Sequence, residues 1–350
     1  MTITVLDQIV VAPDELAVLE TLLETRYLPG AAARGLQLQS KQVSPPVITA
    51  EGPLTLWLRW EVADAGAWWG MRAQSGCPEV YTFWDAVDGI CLSRKRTYLT
   101  GQSAAELPAV GEPVGCTTGV RFHRETAQLA LAAAEKAEAL EALLSTATED
   151  VPGLEQAVLG RNLAPEYAAG HYTWDLLFTD GSAAQTARES RAWREMVLPA
   201  LAEHCRAVHA FALDYLGGGL RAPGISGGVK RTAYFRLLPG TAPEAAANFE
   251  RDLLEMPRHM PAIVNWRLSR ALPAAWNRSD VPPWTYVWEQ DFADVGGLTG
   301  PYMTHPHHWA HIDRWFDPES GDQIVDVQIS HAFCSVESSV LANELLKGER

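Results

Sequence analysis

One short pattern recurs three times in this sequence, at the end of an apolar and aromatic run, and its spacing limits the possible folds more than any other feature. The three copies are Val62-Ala63-Asp64-Ala65-Gly66, Phe178-Thr179-Asp180-Gly181 and Phe292-Ala293-Asp294-Val295-Gly296. The aspartates lie 116 and 114 residues apart. An aspartate between a strand and a helix is typical of an N-cap, whose carboxylate accepts hydrogen bonds from the first free backbone N–H groups. The chain is therefore expected to contain three copies of one unit.

The surroundings of the pattern repeat in one order: strand, helix, strand, strand, helix, strand. Opening strands are predicted at 3–11, 118–123 and 231–238, and helices with apolar residues at helical spacing follow at 14–24, 125–144 and 243–254. Second strands are predicted at 36–43, 155–163 and 262–272, third strands at 54–60, 172–178 and 284–292, and last strands at 90–99, 208–216 and 324–333. This order predicts an α+β fold of three tandem ferredoxin-like (βαββαβ) repeats.

Two joints rich in glycine, at 100–115 and 217–228, separate the predicted repeats. We place the repeats at 1–108, 112–220 and 226–340. The first two are diverged, and the third contains a histidine-rich motif.

A four-stranded sheet of this kind covers one face with its helices and leaves the other face bare. The bare faces are expected to carry Trp57, Trp174, Trp266, Trp284 and Trp288. An exposed apolar face needs a partner, and a second such sheet gives a barrel-like pair with a cavity inside. With three repeats, one sheet has no partner sheet within the chain. We therefore expect one pair within the chain, and an odd repeat that is completed in a homodimer.

Charge and cysteine content exclude several classes of protein. The net charge is −15, which argues against nucleic acid or an anionic membrane as a partner, because both need clustered Lys and Arg. No apolar run reaches the roughly 18 residues of a membrane span, and the N-terminus does not resemble a signal peptide. The five cysteines form no close pairs, which favours small buried residues in a reducing compartment over disulfides or a zinc cluster. We expect a cytoplasmic protein.

The third repeat carries the most distinctive chemistry. Four of the ten histidines lie between positions 305 and 311, just before the last predicted strand. Pro306 fits the first turn of a helix. Tyr302, His305 and His308 follow one another at a spacing of three residues, so on a helix they share one face.

The pattern Tyr-x-x-His-Pro-x-His, from Tyr302 to His308 inside a ferredoxin-like unit, resembles the stress-responsive A/B barrel (Dabb) family of the dimeric α+β barrel superfamily. The stretch 229–334 resembles one complete member, because its opening strand, Phe-Ala-Asp phrase, motif and closing strand follow the family's order. The first repeat has Gly76-Cys77-Pro78 where the third has Thr304-His305-Pro306, and the second has no counterpart. These two repeats therefore resemble diverged copies.

The resemblance implies α+β barrels formed by pairing two sheets. It also implies, from the olivetolic acid cyclase-like members, an acid/base pair that closes a ring by an intramolecular aldol reaction without metal or cofactor. Carried over by motif position, the pair is Tyr302 and His308, and His305 orients the start of the helix. This sequence has Tyr286 where those members have a further histidine on the third strand, a departure that argues against the same cyclase reaction. An alternative is that Tyr302 and His308 are satisfied polar groups at a sheet–helix contact.

The physical chemistry of the pair is sound on its own terms. An imidazole exchanges a proton near neutral pH, and a phenol donates a hydrogen bond to a developing enolate or phenolate oxygen.

For other polar clusters, a structural role is favoured over a binding role. His307, His311 and Asp313 could bind a metal ion, but a solvated helix surface is favoured and no metal is predicted. Histidines on predicted strands are expected to line the core or the barrel with a hydrogen bond; these are His171, His209 and His331. The basic run Arg94-Lys95-Arg96 could bind a carboxylate or phenolate, but a solvated edge strand is favoured.

The favoured function is a cofactor-independent acid/base enzyme acting on an aromatic small molecule in a Trp-lined barrel cavity. A lyase of aromatic compound catabolism is favoured over a decarboxylase or cyclase, which share proton abstraction as a first step. The predicted substrate-binding residues are Tyr286, Trp288, Trp284, Trp266 and Trp309. A non-catalytic protein that binds a small ligand or responds to stress is the alternative. A haem-dependent, dehydratase-like enzyme is a lesser alternative, since related α+β barrels bind haem and an axial histidine is available.

Overall fold

A computed structural model describes residues 2–48, 52–112, 114–115 and 120–348. The chain forms two compact units. The first contains Met1–Val110 and Tyr302–Val327, and the second contains Gly111–Pro301 and Gln328–Arg350. The histidine-rich segment therefore belongs to the same unit as the first predicted repeat, although its sequence lies in the third.

The first unit contains an antiparallel sheet that is covered on one face. Its strands are β1 (Ile3–Val11), β2 (Gln37–Ser44), β3 (Leu54–Val62) and β4 (Cys91–Leu99). They lie in the order β2-β3-β1-β4. Side chains alternate along β1 and β3 between a fully buried and a more exposed face, as expected for a sheet with helices on one side.

Helices from the first repeat form the covering layer. They are α1 (Leu16–Leu22), a π-helical turn (Leu23–Tyr27), α2 (Leu28–Ala31), α3 (Ala65–Arg72) and α4 (Pro78–Asp88). Their apolar side chains pack against β1 and β3 in one core, which contains Leu19, Trp60, Trp68 and Phe83. Trp309 of the histidine-rich segment also lies in this core.

The second unit is a nearly closed antiparallel barrel. Its strands are β5 (His123–Leu131), β6 (Leu154–Arg161), β7 (Tyr172–Phe178), β8 (Cys205–Leu220), β9 (Gly228–Phe235), β10 (Asn265–Pro273), β11 (Tyr286–Phe292) and β12 (Ser330–Val336). Their order is β12-β9-β11-β10-β8-β5-β7-β6. The two outermost strands meet at a bridge between Asn162 and Cys334. The α+β barrel expected within the chain is thus confirmed, and β5–β8 pair with β9–β12.

The remaining helices follow the barrel strands along the chain. They are α5 (Ala137–Glu149), α6 (Gly181–Glu189), α7 (Leu198–His204), α8 (Pro243–His259), α9 (Val295–Gly297) and α10 (Val340–Gly348). A π-helical turn at Trp193–Val197 precedes α7. Within the described ranges, no helix combines the length and apolar character that a membrane crossing requires.

The three recurring aspartates are N-caps, as predicted. Asp64, Asp180 and Asp294 each accept a hydrogen bond from the backbone N–H three residues later, at 2.8–2.9 Å, from Ala67, Ala183 and Gly297. Each carboxylate replaces a missing intrahelical partner at the first turn. The recurring pattern therefore marks the same structural junction in all three places.

The first strand and the first helix of the second repeat begin later than predicted. The sequence predicts a helix over 125–144, but β5 continues to Leu131 and α5 begins at Ala137. The run is rich in helix-forming Ala, Leu, Glu and Gln, so intrinsic propensity favours a helix there. Pairing with both neighbouring strands overrides that propensity, and the strand is buried on both faces. The predicted last strand at 324–333 likewise begins later, at Ser330.

Aromatic residues of the third repeat lie on a different face from the one expected. The Tyr286 hydroxyl donates to Glu250 Oε1 of α8 at 2.6 Å, so this residue faces the helices. Trp288 is two positions further along β11 and Trp266 pairs across from Gln290, so both share that face. This corrects the expectation that Trp266 and Trp288 line the barrel interior. Trp174 also packs on the helix side, against Trp193 and Trp276.

The barrel interior instead contains a layer of charged side chains. Arg124 and Lys230 lie between Asp175 and Glu289, with N···O distances of 2.6–3.0 Å. All four are almost completely buried. Burial would raise the pKa of the Glu289 carboxyl, but Arg124 and Lys230 outweigh it and lower that pKa to about 2.

Four of the five cysteines lie in described residues, and these are free thiols. Cys205 and Cys334 are buried as expected, whereas Cys77 and Cys91 are half-buried. Burial raises the pKa of the Cys334 thiol to about 12, so it stays protonated. Cys116 lies outside the described residues.

Candidate active site

Two tryptophans hold the start of the histidine-rich segment in the first unit. Trp69 of α3 donates its indole N–H to the carbonyl oxygen of Met303 at 2.8 Å. Trp309 donates its indole N–H to the carbonyl oxygen of Thr304 at 3.1 Å. The backbone from 303 to 304 is therefore fixed from two sides. A π-helical stretch, His307–Ile312, and a 3₁₀ turn, Asp313–Trp315, continue the segment.

Tyr302 and His308 lie together, with ring centroids 4.2 Å apart. The His308 Nδ1 lies 3.0 Å from the backbone carbonyl oxygen of Tyr302. A carbonyl oxygen only accepts, so Nδ1 is the donor, and in the neutral imidazole Nε2 carries the lone pair. Tyr302 is buried, whereas His308 is half-buried. The arrangement sets one tautomer of His308 and places a phenol beside it.

His305 lies at the start of the helical stretch, as its place in the motif suggested. Its Nδ1 accepts the backbone N–H of His307 at 3.1 Å. Its carbonyl oxygen accepts the N–H of His308 at 2.9 Å. These two contacts fix the backbone that carries His308.

One aromatic ring of the first repeat lies beside the pair, and Trp309 packs into the core of the same unit. The Trp69 ring lies 4.8 Å from the His308 ring and is half-buried. Trp309, a predicted substrate-binding residue, packs edge-on against Tyr98 at 5.5 Å and is almost completely buried. Trp309 therefore stabilises the core of the first unit, and Trp69 is the more accessible ring beside His308.

Acidic residues anchor the end of the segment to arginines of the first repeat. Asp313 binds Arg72 of α3, and Asp317 Oδ1 lies 3.3 Å from the same guanidinium. Burial raises the pKa of Asp317 to about 6, with Glu319 adding to the effect and Arg72 opposing it.

The prediction that the basic run Arg94-Lys95-Arg96 is solvated is partly wrong: Arg96 is completely buried and binds Asp7 at 2.7 Å. Pairing with Asp7 replaces the water that this guanidinium loses on burial.

His307 and His311 lie side by side, with ring centroids 4.9 Å apart. His311 Nδ1 lies 2.6 Å from Nη1 of Arg314. Among the described residues, no group of three or more His, Cys, Asp or Glu side chains has an arrangement that could hold a metal ion.

The other predicted substrate-binding residues belong to the second compact unit. Tyr286, Trp266 and Trp288 face the helix layer there, and burial together with Glu250 raises the pKa of Tyr286 to about 12. Trp284 lines a cleft of about 350 Å³ in the second unit. Their part in substrate binding stays a prediction.

The cleft also contains residues that the sequence pattern did not select. It is lined by Glu166, Tyr167, Ala168, Ala169, Ile329, Ser330 and His331 in addition to Trp284. His331 Nε2 lies 3.0 Å from Nη2 of Arg231. Ser330 donates its hydroxyl to Gln128 Oε1 at 2.6 Å. The only feature of the sequence that pointed to this cleft was His331, a histidine on a predicted strand.

Of the two other histidines, His209 is buried and His171 is half-buried. His171 Nδ1 accepts the N–H of Leu131 at 3.1 Å. Burial and Arg206 lower the pKa of both imidazoles, which keeps them neutral.

A comparison with protein families agrees with this architecture. Residues 229–328 match the model of the family described as Stress responsive A/B Barrel Domain. This part of the chain is similar to the stress-responsive A/B barrel (Dabb) family. The matched Dabb residues include β9–β11 and the Tyr302–His308 motif.

Solved structures with a similar arrangement have little sequence in common with this chain. An anthrone oxidase-like protein is 9% identical, covers 64% of this chain and 94% of its own, and has a TM-score of 0.47. A putative monooxygenase from Lactobacillus acidophilus is 11% identical, with 62% and 93% covered and a TM-score of 0.37. A putative chlorite dismutase is 9% identical, with 64% and 99% covered and a TM-score of 0.39. No curated protein matches the chain.

Proposed function

We propose that the protein is an acid/base enzyme acting on an aromatic small molecule, with His308 as the base and Tyr302 as its acid partner. The observation that carries the proposal is the hydrogen bond from His308 Nδ1 to the Tyr302 carbonyl oxygen at 3.0 Å. It directs the lone pair of Nε2 away from the backbone, as a general base requires. The Dabb motif at the same residues supports the assignment.

The chemistry begins with transfer of one proton. Nε2 of His308 takes a proton from a carbon next to a carbonyl group or from a phenol, and the electron pair left behind forms an enolate or phenolate. The Tyr302 phenol, whose ring lies beside His308, donates a hydrogen bond to that oxygen. The protonated imidazole then returns the proton to the product. Cleavage by a lyase is our preferred outcome, and decarboxylation and ring closure share the first step.

An aromatic substrate follows from the surroundings of His308. The half-buried Trp69 ring lies 4.8 Å from the imidazole and offers a flat surface on which a substrate ring can stack. Stacking also excludes water from the proton-transfer step.

The test is turnover of a panel of hydroxylated aromatic ketones, aldehydes and carboxylic acids by the wild type and two variants. His308→Asn keeps a donor at the position of Nδ1 but has no counterpart of Nε2, and Tyr302→Phe removes only the hydroxyl. Each is expected to lower kcat by about 10²–10⁴-fold. His311→Asn, on the same helical stretch, is the matched control and is expected to retain activity. Full activity of both His308→Asn and Tyr302→Phe would overturn the proposal.

Ligand binding without catalysis is the second candidate, and the cleft of about 350 Å³ in the second unit favours it. The cleft combines the Trp284 ring with the polar groups of Ser330 and His331, a mixture typical of small-molecule sites. If this candidate is correct, a compound from the panel binds in calorimetry and is recovered unchanged. Tyr167→Ala, at the exposed rim, then weakens binding, whereas His308→Asn does not.

A further inference from the structure

One carboxylate in the first unit has an unusually complete set of hydrogen-bond donors. Glu319, on the segment Tyr302–Val327, is almost completely buried. Its Oε1 lies 2.8 Å from Arg34 Nη1 and 2.8 Å from the Ser75 hydroxyl. Its Oε2 accepts from the Tyr27 hydroxyl, from Arg34 Nη2 at 3.2 Å and from the Trp84 indole N–H at 3.3 Å. Both oxygens are therefore saturated, since a carboxylate offers about four lone-pair positions.

All of these donors come from the first repeat, between residues 27 and 96. Tyr27 ends the π-helical turn, Arg34 follows α2, Ser75 follows α3, and Trp84 lies on α4. Arg96 of β4 adds a second guanidinium, with Nη1 at 3.3 Å from Oε2. The carboxylate they surround is contributed by residue 319, more than 200 positions further along the chain.

The charges in this site favour an anion. Arg34 makes a bidentate contact: its two terminal nitrogens bind the two oxygens of Glu319, the geometry that matches a planar carboxylate. Arg96 is shared, because Asp7 Oδ1 lies 2.7 Å from its Nε and Asp317 lies 3.8 Å from its Nη1. Burial would raise the pKa of Glu319, but Arg96, Arg34 and Tyr27 outweigh it and hold that pKa well below its usual range. Glu319 is therefore ionised.

We propose that Tyr27, Arg34, Ser75, Trp84 and Arg96 form a binding site for a small carboxylate, and that Glu319 is its tethered ligand. A neutral group of the same size leaves the buried Arg34 guanidinium without the anion it pairs with, and leaves Arg96 only Asp7 and Asp317, which is unfavourable. The site therefore takes Glu319 or a free monocarboxylate of similar size. It is separate from the proposed base, and it does not depend on His308 having any catalytic role.

Glu319→Ala tests the proposal by removing the tethered carboxylate and leaving its space. The thermal midpoint is measured in sodium acetate, in sodium propionate and in sodium chloride at equal ionic strength. We expect the variant to melt below the wild type, and acetate or propionate to raise its midpoint saturably, by about 4 °C or more. Chloride is expected to have no such effect. The wild type, whose site is filled, is expected to respond equally to all three salts.

Two further variants separate binding from general salt effects. Arg34→Met combined with Glu319→Ala removes the bidentate guanidinium donor, and the thermal midpoint of this double variant is expected not to respond to acetate. Glu319→Gln fills the space with an amide and is likewise expected not to respond. If Glu319→Ala does not fold alone, its refolding yield in acetate and in chloride gives the same comparison. Equal effects of acetate and chloride, or an acetate effect that survives Arg34→Met, would overturn the proposal.

Discussion

The imidazole of His308 is oriented by the backbone of Tyr302, through a contact of 3.0 Å between His308 Nδ1 and the Tyr302 carbonyl oxygen. Because a carbonyl group makes this contact, it does not depend on the side chain at position 302. The roles of the two side chains can therefore be separated. Tyr302→Phe leaves the tautomer of His308 unchanged, and His308→Asn leaves the Tyr302 hydroxyl in place.

Asp317→Asn is expected to change how stability depends on pH. Burial raises the pKa of Asp317 to about 6 from an ordinary value of 3.8, so between these values the native state binds a proton that the unfolded chain has lost. The contribution of Asp317 to wild-type stability therefore falls as pH rises from about 4 to about 6, by up to about 3 kcal/mol. Asparagine does not titrate, so the variant lacks this contribution. Urea unfolding of both proteins between pH 4 and pH 8 measures the difference, and parallel curves would contradict it.

Glu344→Ala is expected to destabilise the second unit strongly. Glu344, on α10, is completely buried, with Oε2 3.0 Å from Arg267 Nε and 3.5 Å from Arg124 Nη1. Removing one partner of a buried ion pair costs about 3–5 kcal/mol, because the other charges stay buried. Chemical unfolding of the variant checks this loss. Glu195→Ala, which removes an exposed ion pair with Arg191, is the control and should change little.

Asp64→Ala is expected to lower the free energy of unfolding by about 1 kcal/mol, because the carboxylate caps α3 through Ala67 N–H at 2.9 Å. Asp64→Asn retains a side-chain oxygen at the same place and is expected to cost less. Thermal unfolding of the two variants measures the difference. If alanine and asparagine are equally destabilising, the cap is not the source of the effect.

We still predict that the sheet of the first unit, which has no partner sheet in the described part of the chain, is covered in a homodimer. Its face away from the helices carries the half-exposed Leu6, Val10 and Trp57 beside polar residues. We expect sedimentation equilibrium to give twice the 38.3 kDa of one chain, and Trp57→Asp to shift the protein toward the monomer. A wild-type monomer at micromolar concentration would count against this expectation.

The repeat pattern predicted the fold because its signals are local. An aspartate between an apolar run and a helix specifies its own hydrogen bond, so Asp64, Asp180 and Asp294 could be assigned as caps without knowing the tertiary structure. The strand β5 was harder to predict, because both of its faces are buried, so apolar and polar residues do not alternate along it, and its residues are good helix formers.

The contents of the barrel could not be predicted from apolar residues alone. Alternation tells which residues share a face, but not which face meets the helices, so Trp266 and Trp288 were placed on the wrong side. The carboxylate site was missed for another reason. Glu319 and Arg34 are 285 positions apart, and no local pattern brings them together.

The tautomer of His308 tests the central claim most directly, and it can be measured before any substrate is known. Long-range ¹⁵N–¹H spectra of the imidazoles, assigned by comparison with His308→Asn, distinguish a protonated Nδ1 from a protonated Nε2. The account predicts that neutral His308 carries its proton on Nδ1 and that Nε2 has the nitrogen shift of an unprotonated acceptor. A proton on Nε2 in the neutral imidazole would contradict the assignment of His308 as the base.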